Sequence, residues 1–228
     1  MLSLSPRLQA VLDLCRSLHT PSCDVLADIG TDHGYLPIAA VQRGICNRAI
    51  ACDLHAGPLS IAANNINDAG LTDKITVRLG DGLLPLTTCE CDCIVVAGMG
   101  GMRIKNIIYE GMQQARAARR LILQPQHDTE LLRRELHING FEIESERLIR
   151  ETIAKREHFY VVMAAKYTGE VVSWTGQEYF LGKYLISEAA NDFMVYKSKK
   201  REKIVSYISS IRDKKMLSDA QKRLEWLV

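Results

Sequence analysis

The chain has 228 residues, of which 47% are hydrophobic and 25% are charged, and its formal net charge at pH 7 is +2. This length is enough for one sizeable domain with an appendage, and the composition is that of a globular protein rather than a disordered or fibrous one. No apolar run approaches the roughly 20 residues that a membrane span needs, so we expect no membrane association.

The N-terminal segment and the cysteine positions give the first indications of structure and location. The segment MLSLSPRLQAVLDLC lacks a basic stretch before an apolar core, which predicts a helix and not a signal peptide. Seven cysteines, an odd number, lie within the first 93 residues. This usage argues against a disulfide framework and predicts a cytoplasmic location. The tract CECDC (89–93) lacks zinc-site spacing, so we interpret it as the start of a buried strand and expect no metal.

Strand-like and helix-like patterns alternate along the next part of the chain. Strands are predicted, in chain order, at CDVLADIG, RAIACDL, KITVRLGDG, CDCIVVAGMGG and RRLILQPQ. Helices are predicted between and after them at YLPIAAVQRG, AGPLSIAANNINDAG, MRIKNIIYEGMQQA and TELLRRELHING, followed by a pair of strands at FEIESERLIRE and HFYVVMAAKY. Such alternation predicts an α/β, Rossmann-like fold with a doubly wound parallel sheet.

The pattern becomes helical and basic after about Gly169. The segments TGQE (175–178) and SDAQ (218–221) match capping boxes, and isoleucines recur at helical spacing between them. We predict a small helical appendage, a hairpin or short coiled coil that turns near Lys214–Met216. Residues 168–228 hold 11 Lys and Arg against 8 Asp and Glu, and the run KSKKREK (197–203) predicts an RNA-backbone contact, with a solvated helix face as the alternative.

Acidic residues follow the first three predicted strands, where ligands of open parallel sheets bind. A dinucleotide loop would read G-x-G-x-x-G, but here Asp28 and Asp32 flank Gly30 and would repel a pyrophosphate. S-adenosylmethionine has no phosphate and carries a sulfonium and an ammonium. Asp53 could accept from its ribose hydroxyls and Asp81 from its adenine amino group. Each acid alone could instead be a loop, cap or turn residue, but together they favour this cofactor.

Four segments in this order carry a family resemblance, namely ADIGTDHGYLP (27–37), VRLGDGL (77–83), AGMGG (97–101) and LILQPQ (121–126). With the helical C-terminus, they resemble the bacterial tRNA (adenine(22)-N1)-methyltransferases of the TrmK type. The resemblance implies a class I methyltransferase domain over residues 1–168 and a helical C-terminal domain over 169–228. It also implies methyl transfer from S-adenosylmethionine to N1 of adenine 22 in tRNA, with the appendage helping to hold the tRNA.

The candidate site residues follow from the strand ends and the resemblance. The expected cofactor-binding residues are Asp28, Gly30, Thr31, Gly34, Asp53, Leu54, Gly80, Asp81, Gly82, Ala97, Gly98 and Met99. The expected substrate-binding residues are Arg7, Gly100, Gly101, Arg103, Gln124, Pro125, Gln126, Lys199, Lys200 and Arg201.

Three residues at the first loop are the catalytic candidates. Adenine N1 has an in-plane lone pair and needs no general base, so the enzyme must mainly orient the reactants. We expect Asp32 and His33 to shape the pocket electrostatically and Tyr35 to pack on a bound group. In the alternative, His33 caps the helix and Tyr35 belongs to the core.

Two other functions stay open at this point. The chain could be a class I methyltransferase that acts on another RNA, a protein or a small molecule. It could also be a non-catalytic RNA-binding protein that keeps the fold. The oligomeric state is left open, with a monomer as one option.

Overall fold

The computed structural model describes residues 4–17 and 23–228, and within these ranges the chain forms one seven-stranded sheet and ten helices. The strands are β1 (Cys23–Ile29), β2 (Cys46–Asp53), β3 (Ile75–Leu79), β4 (Cys93–Met99), β5 (Arg120–Pro125), β6 (Phe141–Ile153) and β7 (Arg156–Tyr167). The helices are α1 (Pro6–Ser17), α2 (Tyr35–Gln42), α3 (Ala56–Asp68), α4 (Gly101–Glu110), α5 (Met112–Ala117), α6 (Thr129–Ile138), α7 (Gly176–Leu181), α8 (Lys183–Glu188), α9 (Asn191–Ile208) and α10 (Lys214–Glu225).

The strand order is β3-β2-β1-β4-β5-β7-β6. The first five strands pair in parallel, whereas β7 runs antiparallel to both β5 and β6. The predicted α/β class is therefore confirmed, and the predicted parallel sheet holds for the first five strands, whereas the final pair of strands adds an antiparallel edge. A tight turn joins β6 to β7, with Ala154 and Lys155 in the left-handed region, and such a short connection can only return the chain antiparallel.

Helices cover both faces of the sheet and bury it in two apolar clusters. One cluster includes Ile94 and Val96 of β4, and the other includes Cys93 and Val95 of the same strand. A strand buried on both faces reads as a continuous apolar run, as IVVAG does. The strand order reverses between β1 and β4, so their carboxyl ends open a crevice at this point of the sheet.

The cysteine tract behaves as the start of a strand. Cys91 and Cys93 are buried, and burial raises the pKa of Cys91 to about 12, so this thiol stays protonated near neutral pH. Among the described residues, no group of three or more His, Cys, Asp or Glu side chains is placed to hold a metal ion.

Within the described ranges, none of the helices has the length and apolar character that a membrane span requires. The predicted N-terminal helix is present from Pro6, while its first three residues lie outside the described ranges.

The C-terminal helices differ from the prediction in one boundary. The capping box at Thr175 is confirmed, because its side chain accepts from the Glu178 N–H and the Glu178 carboxylate accepts in return. The second predicted capping box is wrong. Helix α10 already begins at Lys214, where the Asp213 carboxylate accepts the Met216 N–H at 2.9 Å. The turn of the hairpin therefore lies over residues 209–213, with Asp213 as the N-cap of α10.

The appendage packs on the edge of the sheet through a shared core. Trp174, Tyr179 and Phe180 belong to the same buried cluster as Ile94 of the central strand β4. Arg133 of α6 and Glu146 of β6 form a fully buried ion pair with an N–O distance of 2.7 Å. The predicted boundary between residues 168 and 169 marks the change of pattern and stays a prediction.

One further bond ties the two parts together. Arg133, already paired with Glu146, also donates to the backbone carbonyl of Tyr179 in α7 at 2.9 Å. The first appended helix is thus joined to α6 by a charged, buried side chain.

Candidate active site

Two adjoining cavities lie beyond the carboxyl ends of the central strands. The first, which we call the β2–β3 cavity, has a volume of about 330 Å³. Its walls include Asp53, Leu54, His55, Pro58, Gly80, Asp81, Gly82 and Arg103. The second, the β1–β4 cavity, has a volume of about 390 Å³. Its walls include Arg7, Asp28, Thr31, His33, Tyr35, Ala97, Gly98 and Gln126. Gly30, Asp32 and Met99 line both cavities.

Asp53 ends β2 at the wall of the β2–β3 cavity and is only 8% exposed. Its two carboxylate oxygens accept from backbone amides, Oδ1 from His55 at 3.0 Å and Oδ2 from Asp32 at 3.1 Å. A carboxylate has about four acceptor positions, so these two bonds fix its orientation and leave acceptor capacity for a ligand. A vicinal diol, with two donors side by side, fits such a group.

Asp28 near the end of β1 faces the β1–β4 cavity and is 4% exposed. Burial raises the pKa of its carboxyl to about 7, and the nearby Asp53 adds to the rise while Thr31 opposes it. A cation bound in this cavity would favour the ionised form. Near pH 7 this carboxyl is about half ionised, so a positive ligand group would increase the negative charge of the site.

Asp81 forms an ion pair with Arg103 of α4, with an N–O distance of 2.5 Å. Both residues line the β2–β3 cavity. The predicted substrate role of Arg103 stays a prediction. The first turn of α4 directs this side chain to the acid after β3, where it shares the cavity with the residues expected to bind cofactor.

Asp32, His33 and Tyr35 come together at the mouth of the β1–β4 cavity. Asp32 has a left-handed backbone, and its carboxylate lies 2.8 Å from Nδ1 of His33. The rings of His33 and Tyr35 stack with centroids 5.5 Å apart, and Tyr35 is 41% exposed. The alternative roles are wrong, because the N-cap of α2 is Gly34 and Tyr35 lies outside the core.

Three of the predicted glycines lie at close packing contacts. A Cβ on Gly34 would lie 3.2 Å from Cβ of Ala62, so this glycine lets α2 approach α3. At Gly100 a Cβ would come within 2.4 Å of the His127 ring, and at Gly101 within 2.6 Å of the Asp128 carbonyl oxygen. Residues of the loop before α6 thus pack on Gly100 and Gly101, and the predicted ligand contacts of the three glycines stay predictions.

Gln124 is fully buried, so the prediction that it binds a base edge is wrong. Its Oε1 accepts from Arg7 at 2.8 Å and from the Gly98 N–H at 3.1 Å, and its Nε2 donates to the Pro125 carbonyl at 2.9 Å. Gln126 is exposed, and its Nε2 donates to the Gly98 carbonyl at 3.1 Å. The glutamines thus hold the loop after β4, and only the second faces the cavity.

A groove of about 920 Å³ runs between the α/β domain and the appendage. Its walls carry five basic residues, Arg134, Lys199, Lys200, Lys203 and Arg223, and four acidic ones, Asp128, Glu130, Glu135 and Glu157. The three lysines lie together on α9, whereas both arginines pair with Glu130. Pro125 and Gln126 lie at its edge, and Gln126 also lines the β1–β4 cavity, so the two spaces adjoin.

The basic side chains of this groove are held by their neighbours. Lys200 Nζ lies 4.5 Å from the ring centre of Phe180, and Arg223 pairs with Glu130 at 3.0 Å. Arg201, by contrast, is exposed on α9 and is not among the groove residues, and its predicted substrate role stays a prediction. Sequence reasoning did not select Arg134 and Arg223, because they come from separate helices and share no local motif.

The reversed strand order, the antiparallel β7 and an acid beyond each of β1, β2 and β3 define the class of protein as a class I methyltransferase. A family model described as tRNA (adenine(22)-N(1))-methyltransferase matches residues 26–227. The chain belongs to this family, which confirms the predicted family, fold class and enzyme class.

Three relatives illustrate the match. The chain is 37% identical over 150 residues to the tRNA (adenine(22)-N(1))-methyltransferase of Bacillus subtilis, and this match covers 66% of the chain and 61% of that protein. A Streptococcus pneumoniae protein described as a tRNA (m1A22) methyltransferase, solved with S-adenosyl-L-methionine, is 29% identical with a TM-score of 0.86, covering 99% and 98% of the two chains. M. capricolum TrmK, solved with S-adenosyl-homocysteine, is 25% identical with a TM-score of 0.81, covering 98% and 96%.

Proposed function

We propose that this chain transfers the methyl group of S-adenosylmethionine to N1 of adenine at position 22 of tRNA. The observation that carries the proposal is the junction at Gln126, where the acid-lined cavities meet the basic groove. The cavities suit a small cationic cofactor, and the lysines on the α9 wall of the groove suit the phosphates of a polyanion. Their meeting point is where a base from bound RNA would reach the reactive methyl group.

The residues of both cavities fit the cofactor. When bound, S-adenosylmethionine supplies an electrophilic methyl group on a cationic sulfur. Asp53 would accept from the ribose hydroxyls, since its carboxylate is already oriented by two amides. Asp81 would accept from the adenine amino group while it keeps its ion pair with Arg103. Asp28 would accept from the ammonium, and Gly30 lets the backbone come close to the ligand.

The residues at the mouth orient the target base. N1 of neutral adenine carries its own lone pair, so alignment with the methyl group is the main requirement, and orientation can supply about 7 kcal/mol or more of the barrier. The exposed stack of His33 and Tyr35 offers an aromatic face for the base. The carboxylate of Asp32 stabilises the positive charge that develops on the ring as N1 is methylated.

The basic groove would hold the rest of the tRNA. Lysines and arginines neutralise phosphates and release counterions, which supplies affinity without regard to sequence. An adenine within a stack must be extruded to reach the cavity, at a cost of a few kcal/mol, and backbone contacts offset this cost. Lys199, Lys200 and Lys203 lie along one wall for that purpose.

A cytoplasmic location is part of the same proposal. It is supported by the expected tRNA substrate and by the cysteines, all seven of which lie within the described residues and are thiols rather than disulfides. Thiols of this number are typical of a reducing compartment.

The direct test uses unmodified bulk tRNA and labelled S-adenosylmethionine. We expect label in tRNA and a reverse-transcription stop at position 22. Asp53→Ala should lose cofactor binding and labelling together, whereas Asp68→Ala, an exposed acid on α3, is the matched control. Label in tRNA at another position would refute the target position. Cofactor binding without any labelled tRNA would favour another substrate, and absence of cofactor binding would favour a non-catalytic RNA-binding protein.

A further inference from the structure

Met99 lies at the point where the two cavities meet, and a β-bulge directs it there. The pairing of β4 with β5 shifts between Ala97 and Met99, with Gly98 at φ 79° as the extra residue. Along a regular strand, Ala97 and Met99 would point to the same face. Here Ala97 packs with the cluster of Val95, while Met99 packs with the opposite cluster, that of Val96. The bulge therefore turns Met99 to the other face of the sheet.

The backbone at this bulge is held tightly. The Gly98 N–H donates to Gln124, and the Gly98 carbonyl accepts from the side chain of Gln126. The Met99 carbonyl accepts from the Gln126 N–H at 2.8 Å. Because these hydrogen bonds hold the backbone of Gly98 and of Met99, the side chain of Met99 is the part that can move.

That side chain closes against the first glycine of the cofactor loop. A Cβ placed on Gly30 would lie 2.2 Å from Cε of Met99, so the methyl group packs directly on the glycine backbone. Gly30 and Met99 line both cavities, and the line between them separates the β2–β3 cavity from the β1–β4 cavity. Asp53 and Asp81 lie on one side of this line and Asp28 lies on the other.

We propose that Met99 is a side-chain gate between the two halves of the cofactor cleft, a positioning residue that must rotate before a ligand can span both. This inference rests on the proposed cofactor. Asp53 and Asp81 would hold the nucleoside half and Asp28 the amino-acid half, and a ligand joining both halves would have to pass between Gly30 and Met99. After rotation, Met99 packs beside the sulfur and helps to set its place.

Methionine suits this task because its chain is unbranched and has three rotatable bonds. Rotation leaves the backbone bonds at Gly98 and Gln126 in place. A β-branched residue has fewer accessible χ1 rotamers, so its side chain would rotate out of the cleft less readily. A ligand confined to the β2–β3 cavity would not need the gate to open, which separates the gate from a general effect on the fold.

The test compares the binding of S-adenosylhomocysteine, which would occupy both cavities, with the binding of adenosine, which would occupy only the β2–β3 cavity. Association and dissociation rates are measured by surface plasmon resonance on wild type, Met99→Ala, Met99→Ile and the control Met102→Ala. Met102 lies three residues further on, is 48% exposed and lines neither cavity. Thermal unfolding verifies that each variant is folded.

We expect Met99→Ala to raise the association rate of S-adenosylhomocysteine about threefold or more, because binding would no longer require an unfavourable rotamer of Met99. The dissociation rate should rise as well. Met99→Ile should lower the association rate. Adenosine rates should stay close to wild type in all variants.

Equal changes for both ligands, or unchanged S-adenosylhomocysteine rates in Met99→Ala, would overturn the gate while leaving the proposed function intact. If wild type binds adenosine but not S-adenosylhomocysteine, or binds neither, the gate and the proposed cofactor fail together.

Discussion

Arg7 of α1 donates a hydrogen bond of 2.8 Å to the fully buried Gln124, 117 residues further along the chain. The same Gln124 oxygen accepts the N–H of Gly98 in the bulge after β4. The N-terminal helix is thereby linked through one buried amide to the wall of the cofactor cleft. Arg7 also lies over the Tyr160 ring at 5.5 Å, so its guanidinium connects β7 to the same point.

We expect Gln124→Met to weaken both stability and cofactor binding. The change leaves the Gly98 N–H and the Arg7 guanidinium without their acceptor, and buried polar groups without partners cost about 1–3 kcal/mol each. The free energy of unfolding, from urea titration, should fall by an amount of this order. The KM for S-adenosylmethionine should rise more than the KM for tRNA.

The control is Arg16→Ala, which removes a charge from the exposed face of the same helix. Its stability and kinetics should match wild type. If Gln124→Met binds cofactor as wild type does, the proposed link between the buried amide and the cleft is wrong.

Asp28 should impose a pH dependence on stability. Its pKa is about 7 in the folded protein against an ordinary value of 3.8, so the folded chain keeps a proton that the unfolded chain has already lost. The free energy of unfolding therefore falls as pH rises from about 4 to about 7, by up to roughly 4 kcal/mol. Asp28→Asn should remove this fall, as urea titrations across pH 4–8 would reveal.

Asp68→Asn, an exposed change on α3, should keep the wild-type profile. A profile of Asp28→Asn that parallels wild type would show that another group carries the dependence.

The same carboxyl predicts proton release on cofactor binding. The ammonium of S-adenosylmethionine favours the ionised form of Asp28, and this carboxyl, with a pKa of about 7, is half protonated at pH 7. Binding at pH 7 should therefore release up to about half a proton. Calorimetry in phosphate and in Tris buffers, whose ionisation enthalpies differ, measures this number. Asp28→Asn should bind with no buffer dependence and with lower affinity.

The basic groove predicts a separation of RNA and cofactor binding. Lys199, Lys200 and Lys203, changed together to Ala, should weaken tRNA binding and lower the slope of log affinity against log salt by about 2 to 3. Cofactor affinity should stay unchanged. The matched control removes Arg212, Lys214 and Lys215, three exposed cations near the hairpin turn and outside the groove. An equal loss in both variants would indicate attraction by net charge and not by the groove.

The buried pair of Arg133 and Glu146 should be essential to the joint between appendage and sheet. Glu146→Gln leaves the Arg133 charge buried and uncompensated, which costs about 3–5 kcal/mol. A double variant, Arg133→Met with Glu146→Leu, should regain most of this stability in thermal unfolding. If the double variant is as unstable as the single one, then the loss comes from packing and not from the charge.

The sequence predicts the elements of the fold well because their signals are local. Apolar runs such as IVVAG and capping residues such as Thr175 act within a few positions, and the structure contains both elements. The direction of β7 could not be read in this way, since it depends on the tight turn at Ala154 and Lys155. Asp213 shows the same limit at small scale, where two plausible caps compete and only packing selects one.

The candidate site likewise has residues that the sequence predicts and features that depend on tertiary contacts. Asp28, Asp53 and Asp81 were found because strand ends converge in every open parallel sheet. The bulge that turns Met99, and the burial of Gln124, depend on how β4 and β5 pair and on a helix more than a hundred residues away. No local pattern in the sequence carries that information.

The shared core beneath the appendage has a consequence for substrate choice. Trp174 and Tyr179 lie in the same buried cluster as the central strands, so α7 is seated on the sheet rather than tethered to it. The walls of the groove therefore keep a set separation. On the proposed function, the bound tRNA would have to match both the lysines of α9 and the mouth at Gln126. The enzyme would then select tRNA by the distance between the RNA backbone and the extruded base.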